Sequence, residues 1–371
     1  MKYLFATGGT GGHINPALAV AGYIREKQPD AEILFIGTKE KMEARLVPQA
    51  GFDFKTITIS GFQRKLSVQN IKRNIETVFK IFKASSQAKK ILLEFKPDVV
   101  IGFGGYVSGP VLREAVKLGF KTAIHEQNAF PGKTNKVLAK DVDAVMLTTK
   151  AAEKYFNSKN PCILTGLPVR SEIINSDKDI ARAELKVDDR PLILSMGGSL
   201  GAKAINEAVV ELISKTHSSG EYQYIHAMGQ YGLWVPEKLK EKGVDIEKEK
   251  NIRIVEYINN MDKCLPAADL VICRAGASSI SEIQASGKAA ILIPSPNVAE
   301  NHQYHNAMAL VNENAALLIE EKDLTGEKLT QTVNEILSDK EKLKALGDNA
   351  KKTSIIDSNE RIYNVIMGLL N

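Results

Sequence analysis

Met1-Lys2-Tyr3-Leu4-Phe5-Ala6-Thr7-Gly8-Gly9-Thr10-Gly11-Gly12-His13 opens the chain, and its reading decides the fold. The apolar run is too short for a signal peptide and passes straight into glycine, so it reads as a first strand. Beyond the glycines, Ile14, Leu18, Ala21 and Ile24 recur at helical spacing. Asn15 is expected as the helix N-cap and Pro16 as the first helical residue. The same strand, glycine loop and helix return at Pro191–Lys215. There Gly197-Gly198-Ser199-Leu200-Gly201 follows a strand, and Ile205, Val209, Leu212 and Ile213 share a helix face.

Between and beyond these two openings, short β-rich apolar runs alternate with helical patterns. Strands are expected at Tyr3–Ala6, Glu32–Ile36, Val99–Ile101, Thr122–His125, Ala144–Leu147, Pro191–Met196, Tyr224–Ala227, Ile252–Val255, Leu270–Cys273 and Ala290–Pro294. Near-continuous apolar strands separated by helices mean parallel sheets covered on both faces, an α/β fold. The restart places a boundary near Thr165, giving domains 1–164 and 165–353. The helical tail, 354–371, is expected to pack back on the first domain. A length of 371 residues accommodates two such domains. With 44% apolar and 25% charged residues the composition is that of a soluble globular protein. No apolar run is long enough to span a bilayer. The three cysteines (Cys162, Cys264, Cys273) form no metal pattern and read as reduced thiols of a cytosolic protein.

Glycine loops between a strand and a helix let a ligand approach the backbone, and the helix N-terminus favours an anion. Arg274-Ala275-Gly276-Ala277-Ser278-Ser279 is a third such place. The dinucleotide fingerprint fails here: counted from Gly9 and Gly11, its last glycine is Ile14, and the second strand ends at Gly37-Thr38 with no acidic residue at that end waiting for a ribose. A P-loop ending in Gly132-Lys133-Thr134 fails too, because Gln127 occupies its upstream glycine position. Glu282, on the helix after the third loop, suits the hydroxyls of a ribose whose pyrophosphate sits at the helix start; otherwise it is an exposed helix charge. Asn301, Gln303 and Asn306 form an amide cluster that suits sugar hydroxyls, since each amide donates and accepts; otherwise they cap a surface helix.

Taken in order, Gly8–His13, Gly104-Gly105-Tyr106, His125-Glu126-Gln127-Asn128, Gly166-Leu167-Pro168-Val169-Arg170, Gly197-Gly198-Ser199, Arg274–Glu282 and His302-Gln303 resemble the MurG family of bacterial peptidoglycan glycosyltransferases over nearly the whole chain. That resemblance implies a GT-B fold, two Rossmann-like domains facing a cleft. It implies a UDP-N-acetylglucosamine donor in the second domain and, as acceptor, lipid I, the undecaprenyl-pyrophosphate-linked muramyl pentapeptide. By the same resemblance Ile258 meets uracil through its backbone, Ser199 and Ala277, Ser278, Ser279, Ile280 and Ser281 meet the pyrophosphate, and Glu282 holds the ribose. Gln303 holds the sugar, Asn128 approaches it from the first domain, and Thr10, Gly11, Gly12 and Arg170 line the cleft. Positions 295–300, just before His302, fall in a stretch that varies in length within the family.

Displacement at the anomeric carbon needs a base for the acceptor hydroxyl and stabilisation of the leaving pyrophosphate. Helix N-termini with Arg170 or Arg274 supply the second without a metal or other cofactor. The Asp-x-Asp pairs Asp141/Asp143 and Asp177/Asp179 read as solvated turn residues. His13 is a candidate base, since histidine titrates near neutrality, or an orienting or helix-capping residue. Glu126 is a competing base or a structural anchor. Direct displacement predicts inversion. Segment Phe62–Glu94 carries Arg64, Lys65, Lys72, Arg73, Lys80, Lys83, Lys89 and Lys90 against Glu76 and Glu94, interleaved with Ile71, Ile75, Val78, Phe79 and Phe82. This fits a patch on an anionic inner-membrane surface, or an amphipathic helix facing the core. No nucleic-acid motif accompanies it. A peripheral enzyme on the cytoplasmic face of the membrane is expected. Alternatives on the same fold are another UDP-sugar transferase, a UDP-N-acetylglucosamine epimerase, or a non-catalytic nucleotide-sugar sensor.

Overall fold

Two parallel sheets organise the chain. The computed structural model describes residues 1–60 and 68–371, with side chains described outside 68–79. The first sheet comprises β1 (Lys2–Ala6), β2 (Glu32–Gly37), β3 (Asp53–Thr56), β4 (Val99–Gly102), β5 (Lys121–Glu126), β6 (Ala144–Leu147) and β7 (Ile163–Leu164), in the order β3-β2-β1-β4-β5-β6-β7. The second comprises β8 (Leu192–Met196), β9 (Gln223–Ala227), β10 (Ile252–Val255), β11 (Leu270–Cys273), β12 (Ala289–Leu292) and β13 (Leu317–Leu318), in the order β10-β9-β8-β11-β12-β13. Each sheet belongs to its own compact unit, one of Met1–Pro168 with Asp357–Asn371, the other of Val169–Ile356.

Successive strand residues point to opposite faces, and both faces are buried. In β1, Leu4 and Ala6 enter one apolar cluster while Tyr3 and Phe5 enter another. In the second unit Ile193 faces one cluster and Leu192 and Leu194 the other. The chain's last helix, Ser358–Leu370, buries Ile362 and Ile366 in the cluster that holds Tyr3 and Phe5. Gln28 ties it down, accepting from the Tyr3 hydroxyl at 2.8 Å and donating to the Tyr363 hydroxyl at 2.9 Å.

All ten expected strands are present. Three further strands were not expected: β3 is a charged edge strand, Asp53-Phe54-Lys55-Thr56, and β7 and β13, though apolar, are only two residues long. The first helix departs from expectation. It starts at Gly11 with Thr10 as N-cap, not at Pro16 with Asn15 as cap. The Thr10 carbonyl accepts from both His13 N and Ile14 N, so the glycines already wind the first turn. Pro16 lies inside the helix at the loss of one backbone bond, to the Gly12 carbonyl, and is buried.

In both units the sheet order reverses direction beside the opening strand, between β1 and β4 and between β8 and β11. Open α/β sheets bind ligands outside the carboxyl ends of strands at such a switch point. The three glycine-containing loops follow β1, β8 and β11, and Gly104-Gly105 follows β4. Every one of them therefore sits at a switch point.

Candidate active site

In the second unit the helix after β11 runs Ala277–Ser286 with Gly276 as extended N-cap. Ile280 N already donates to Gly276 O at 3.0 Å. The first-turn N–H groups of Ala277, Ser278 and Ser279 are thus the ones without an intrahelical partner. This narrows the expected pyrophosphate segment. Ala277–Ser281 is helix rather than loop, and the Ile280 side chain is packed in the core beside Ile258 and Ile283. Across the switch point, Gly198 (φ +92°) and Gly201 (φ +82°) shape an exposed turn that carries Ser199. Asn306, expected among the sugar-facing amides, is instead buried and donates to the Ala275 carbonyl at 3.1 Å, bracing the third loop.

Glu282 follows on the same helix and is paired with Arg170, whose Nε and Nη2 reach its Oε1 at 3.0 and 2.9 Å. Burial pushes the Glu282 carboxyl up, and Arg170 opposes that shift. Gln303 Oε1 accepts from Ser295 N at 2.9 Å, so the start of the Ser295–Asn301 segment is fixed to the helix that carries Gln303. Arg274 is committed elsewhere. It donates to the carbonyls of Ile293 and Pro294 at 3.2 and 3.1 Å and pairs with Glu321. Of the two arginines considered for the leaving group, Arg274 is therefore a structural brace.

In the first unit, His13 lies in the first helix with Nδ1 3.0 Å from Gln127 Oε1. Gly104, at φ +89°, makes room for it: a Cβ there would lie 2.9 Å from His13 Nδ1. Thr10 and Gly12, just before it, are exposed, and Gly11 is half-buried. Glu126, the competing base, is buried with both oxygens filled. Oε1 accepts from Asn128 N (3.0 Å) and Asn128 Nδ2 (3.2 Å), Oε2 from Gly132 N (3.2 Å) and Asn135 Nδ2 (2.8 Å). That is the geometry of an anchor for the loop after β5. A residue the sequence reading passed over plays the same part for the first glycine loop. Glu43 is fully buried and accepts from Gly9 N at 3.0 Å, Thr38 N at 3.0 Å and Thr38 Oγ1 at 2.6 Å. Its only sequence signal is an acidic residue soon after β2.

Two family models match this chain, the glycosyltransferase family 28 N-terminal domain over residues 3–147 and its C-terminal domain over residues 192–362. The chain belongs to glycosyltransferase family 28. A relative from Thermoanaerobacter sp. (strain X514) is 46% identical over 370 residues, covering 100% of both chains. It is described as a UDP-N-acetylglucosamine–N-acetylmuramyl-(pentapeptide) pyrophosphoryl-undecaprenol N-acetylglucosamine transferase. The crystal structure of Acinetobacter baumannii MurG is 30% identical and covers 99% of both chains at a TM-score of 0.80. A UDP-GlcNAc 2-epimerase from Neisseria meningitidis, bound to UDP-GlcNAc, has a TM-score of 0.67 over 99% of this chain at 12% identity, which shows the shared GT-B fold alone.

One aspartate of each Asp-x-Asp pair makes structural hydrogen bonds. Asp143 accepts from Thr122 N and Oγ1 at 2.9 and 3.0 Å, and Asp177 caps a helix by accepting from Asp179 N and Ile180 N at 2.9 Å. Among the described residues no His, Cys, Asp and Glu side chains gather into a metal-binding group. No helix there is long and apolar enough to cross a membrane. Most of the basic and apolar patch at 62–94 lies outside the described side chains. In its described end, Ala84, Ala88, Ile91 and Leu92 are buried, while Lys83, Lys89 and Lys90 are exposed and Phe82 is 72% exposed.

Proposed function

We propose that this family 28 enzyme moves N-acetylglucosamine from UDP-N-acetylglucosamine to lipid I, giving lipid II with inversion at the anomeric carbon. The observation that carries this reading is the 46% identity along the full length to a transferase of that description. The N–H groups of Ala277, Ser278 and Ser279, with the turn at Ser199, take the pyrophosphate; Ile258 presents backbone to uracil and Glu282 takes the ribose. Gln303 and Asn128 orient the sugar. Arg170 sits beside Glu282 and neutralises charge on the leaving UDP. In the reaction the acceptor hydroxyl gives its proton to His13 Nε2 as its oxygen bonds the anomeric carbon. The bond from that carbon to the β-phosphate oxygen breaks, and the electron pair leaves with UDP. Exposed Phe82 with Lys83, Lys89 and Lys90 supports a peripheral seat on the anionic cytoplasmic leaflet, where lipid I is reached.

UDP release from UDP-N-acetylglucosamine tests the proposal when measured with the donor alone, with lipid I, and with other acceptors. Release only with lipid I is expected. Conversion of the donor with no acceptor would mark an epimerase, and turnover of a different acceptor with lipid I ignored would reject the substrate assignment.

A further inference from the structure

A chain of hydrogen bonds runs from His13 into the first sheet. His13 Nδ1 meets Gln127 Oε1 at 3.0 Å, Gln127 Nε2 meets His125 Nδ1 at 3.1 Å, and His125 Nε2 meets the Gly166 carbonyl at 2.8 Å. The last link fixes the direction of all the others. A carbonyl oxygen can only accept, so His125 Nε2 carries a proton. His125 is fully buried, and burial pushes its imidazole down to about 4, so the ring is neutral and Nδ1 is bare. A bare Nδ1 accepts, which makes the Gln127 atom facing it the amide nitrogen. The same nitrogen also donates to the His125 backbone carbonyl at 3.1 Å. Gln127 Oε1 is then the atom aimed at His13, and it can only accept. His13 Nδ1 must carry its proton.

The geometry points to Gln127 and His125 as positioning residues that hold His13 in the tautomer with the proton on Nδ1 and the lone pair on Nε2. Among the described residues nothing bonds Nε2. It is the atom that an acceptor hydroxyl needs, and the tautomer is set before any substrate arrives. Two further contacts hold His125 in place. Phe103 stacks on His125 with ring centroids 5.2 Å apart, and Asn135 Nδ2 donates to the His125 carbonyl at 3.3 Å. The His-Glu-Gln-Asn run thus divides its labour. Glu126 anchors the loop, while His125 and Gln127 transmit a proton position from Gly166 to His13.

This inference rests on the reading of His13 as the base, but its test does not depend on activity. The full chain labelled with ¹⁵N-histidine reports tautomers through two-bond ¹H–¹⁵N correlations, with the His13 signal assigned by its loss in His13→Gln. Neutral His13 is expected to show a protonated Nδ1 and a bare Nε2. Gln127→Met keeps the volume but removes all three side-chain bonds. It should release His13 into a mixture of tautomers and lower kcat by about ten- to a hundredfold, no more than the low end of the roughly 10²–10⁴ that a general base supplies. The KM for UDP-N-acetylglucosamine should stay within about twofold, because nothing that holds the donor is touched. A proton on Nε2 in the unaltered protein would overturn the inference, even if the Gln127 variant failed to fold. So would a tautomer unchanged by Gln127→Met. Full activity of His13→Gln would reject the base and leave the tautomer result standing.

Discussion

Arg170 reaches one oxygen of Glu282 twice, with Nε at 3.0 Å and Nη2 at 2.9 Å, and leaves the second oxygen, Oε2, unengaged by it. Burial raises the Glu282 carboxyl and the guanidinium opposes that shift, which favours the charged acceptor that the proposed ribose contact requires. Glu282→Ala should therefore raise the donor KM by about tenfold or more, since hydrogen bonds to a charged group are worth roughly 1.5–3 kcal/mol. Arg170→Ala leaves the carboxyl more easily protonated. Its donor affinity should fall as pH falls, over a range where the unaltered enzyme is flat. Steady-state kinetics with UDP-N-acetylglucosamine measures the first, and isothermal titration with UDP across acidic pH the second; parallel pH profiles for Arg170→Ala and the unaltered enzyme would show that Arg170 does not sustain the charge.

Gly104 is where the β4 loop meets His13. Its φ of +89° disfavours any side chain, and a Cβ would press on the imidazole at 2.9 Å from Nδ1 and 3.0 Å from Cε1. Gly104→Ala should cost about 1–3 kcal/mol of stability from the backbone alone. It should also cut kcat by displacing the ring from Gln127. Paired denaturant and steady-state measurements separate the two effects. An unchanged kcat in a destabilised protein would mean that His13 tolerates the shift or does no chemistry.

Glu126→Gln distinguishes an anchor from a base. The amide nitrogen would face two donors on one side, either Asn128 N and Nδ2 or Gly132 N and Asn135 Nδ2. Stability should drop by about 1–3 kcal/mol as those buried groups lose their acceptor. The folded fraction should keep kcat within about a few-fold, whereas a lost base would reduce it by roughly 10²–10⁴. A stable but inactive Glu126→Gln would return Glu126 to the chemistry.

The fold was legible because both sheets are buried on two faces, so runs such as Tyr3-Leu4-Phe5-Ala6 and Leu270-Val271-Ile272-Cys273 announce strands without knowledge of what covers them. The glycines were equally plain: Gly104 and Gly198 meet demands of the backbone itself. What stayed hidden was partnership over long sequence separation. Nothing in the sequence ties Glu43 to Gly9, Arg274 to Glu321 or His125 to Gly166. Each pair is made across one sheet: Glu43 and Gly9 follow the neighbouring strands β2 and β1, whereas Arg274 and Glu321, and His125 and Gly166, belong to strands or loops two places apart. The same blindness made Asn306 look like a sugar ligand when it braces the Ala275 carbonyl, and it put the first helix start at Pro16 because proline at a helix start is the commoner arrangement.

Two buried histidines make stability depend on pH. Burial pushes both His125 and His226 down to about 4, from an ordinary value near 6.5. His226 lies on β9 with Nδ1 2.9 Å from Ser195 Oγ. Its Nε2 has no partner among the described residues. Above the unfolded value neither state binds the proton, and stability is unaffected. Between about 6.5 and 4 the unfolded chain takes up protons that the folded chain refuses, so stability falls as pH falls. At pH 5 the loss is about 2 kcal/mol for each histidine. Urea midpoints at pH 7 and pH 5 should therefore differ markedly, and His226→Gln should remove about half of this contribution by comparison with its own value at pH 7. If His226→Gln leaves the difference intact, the buried ring is protonated in the folded protein and its environment must hold a charge.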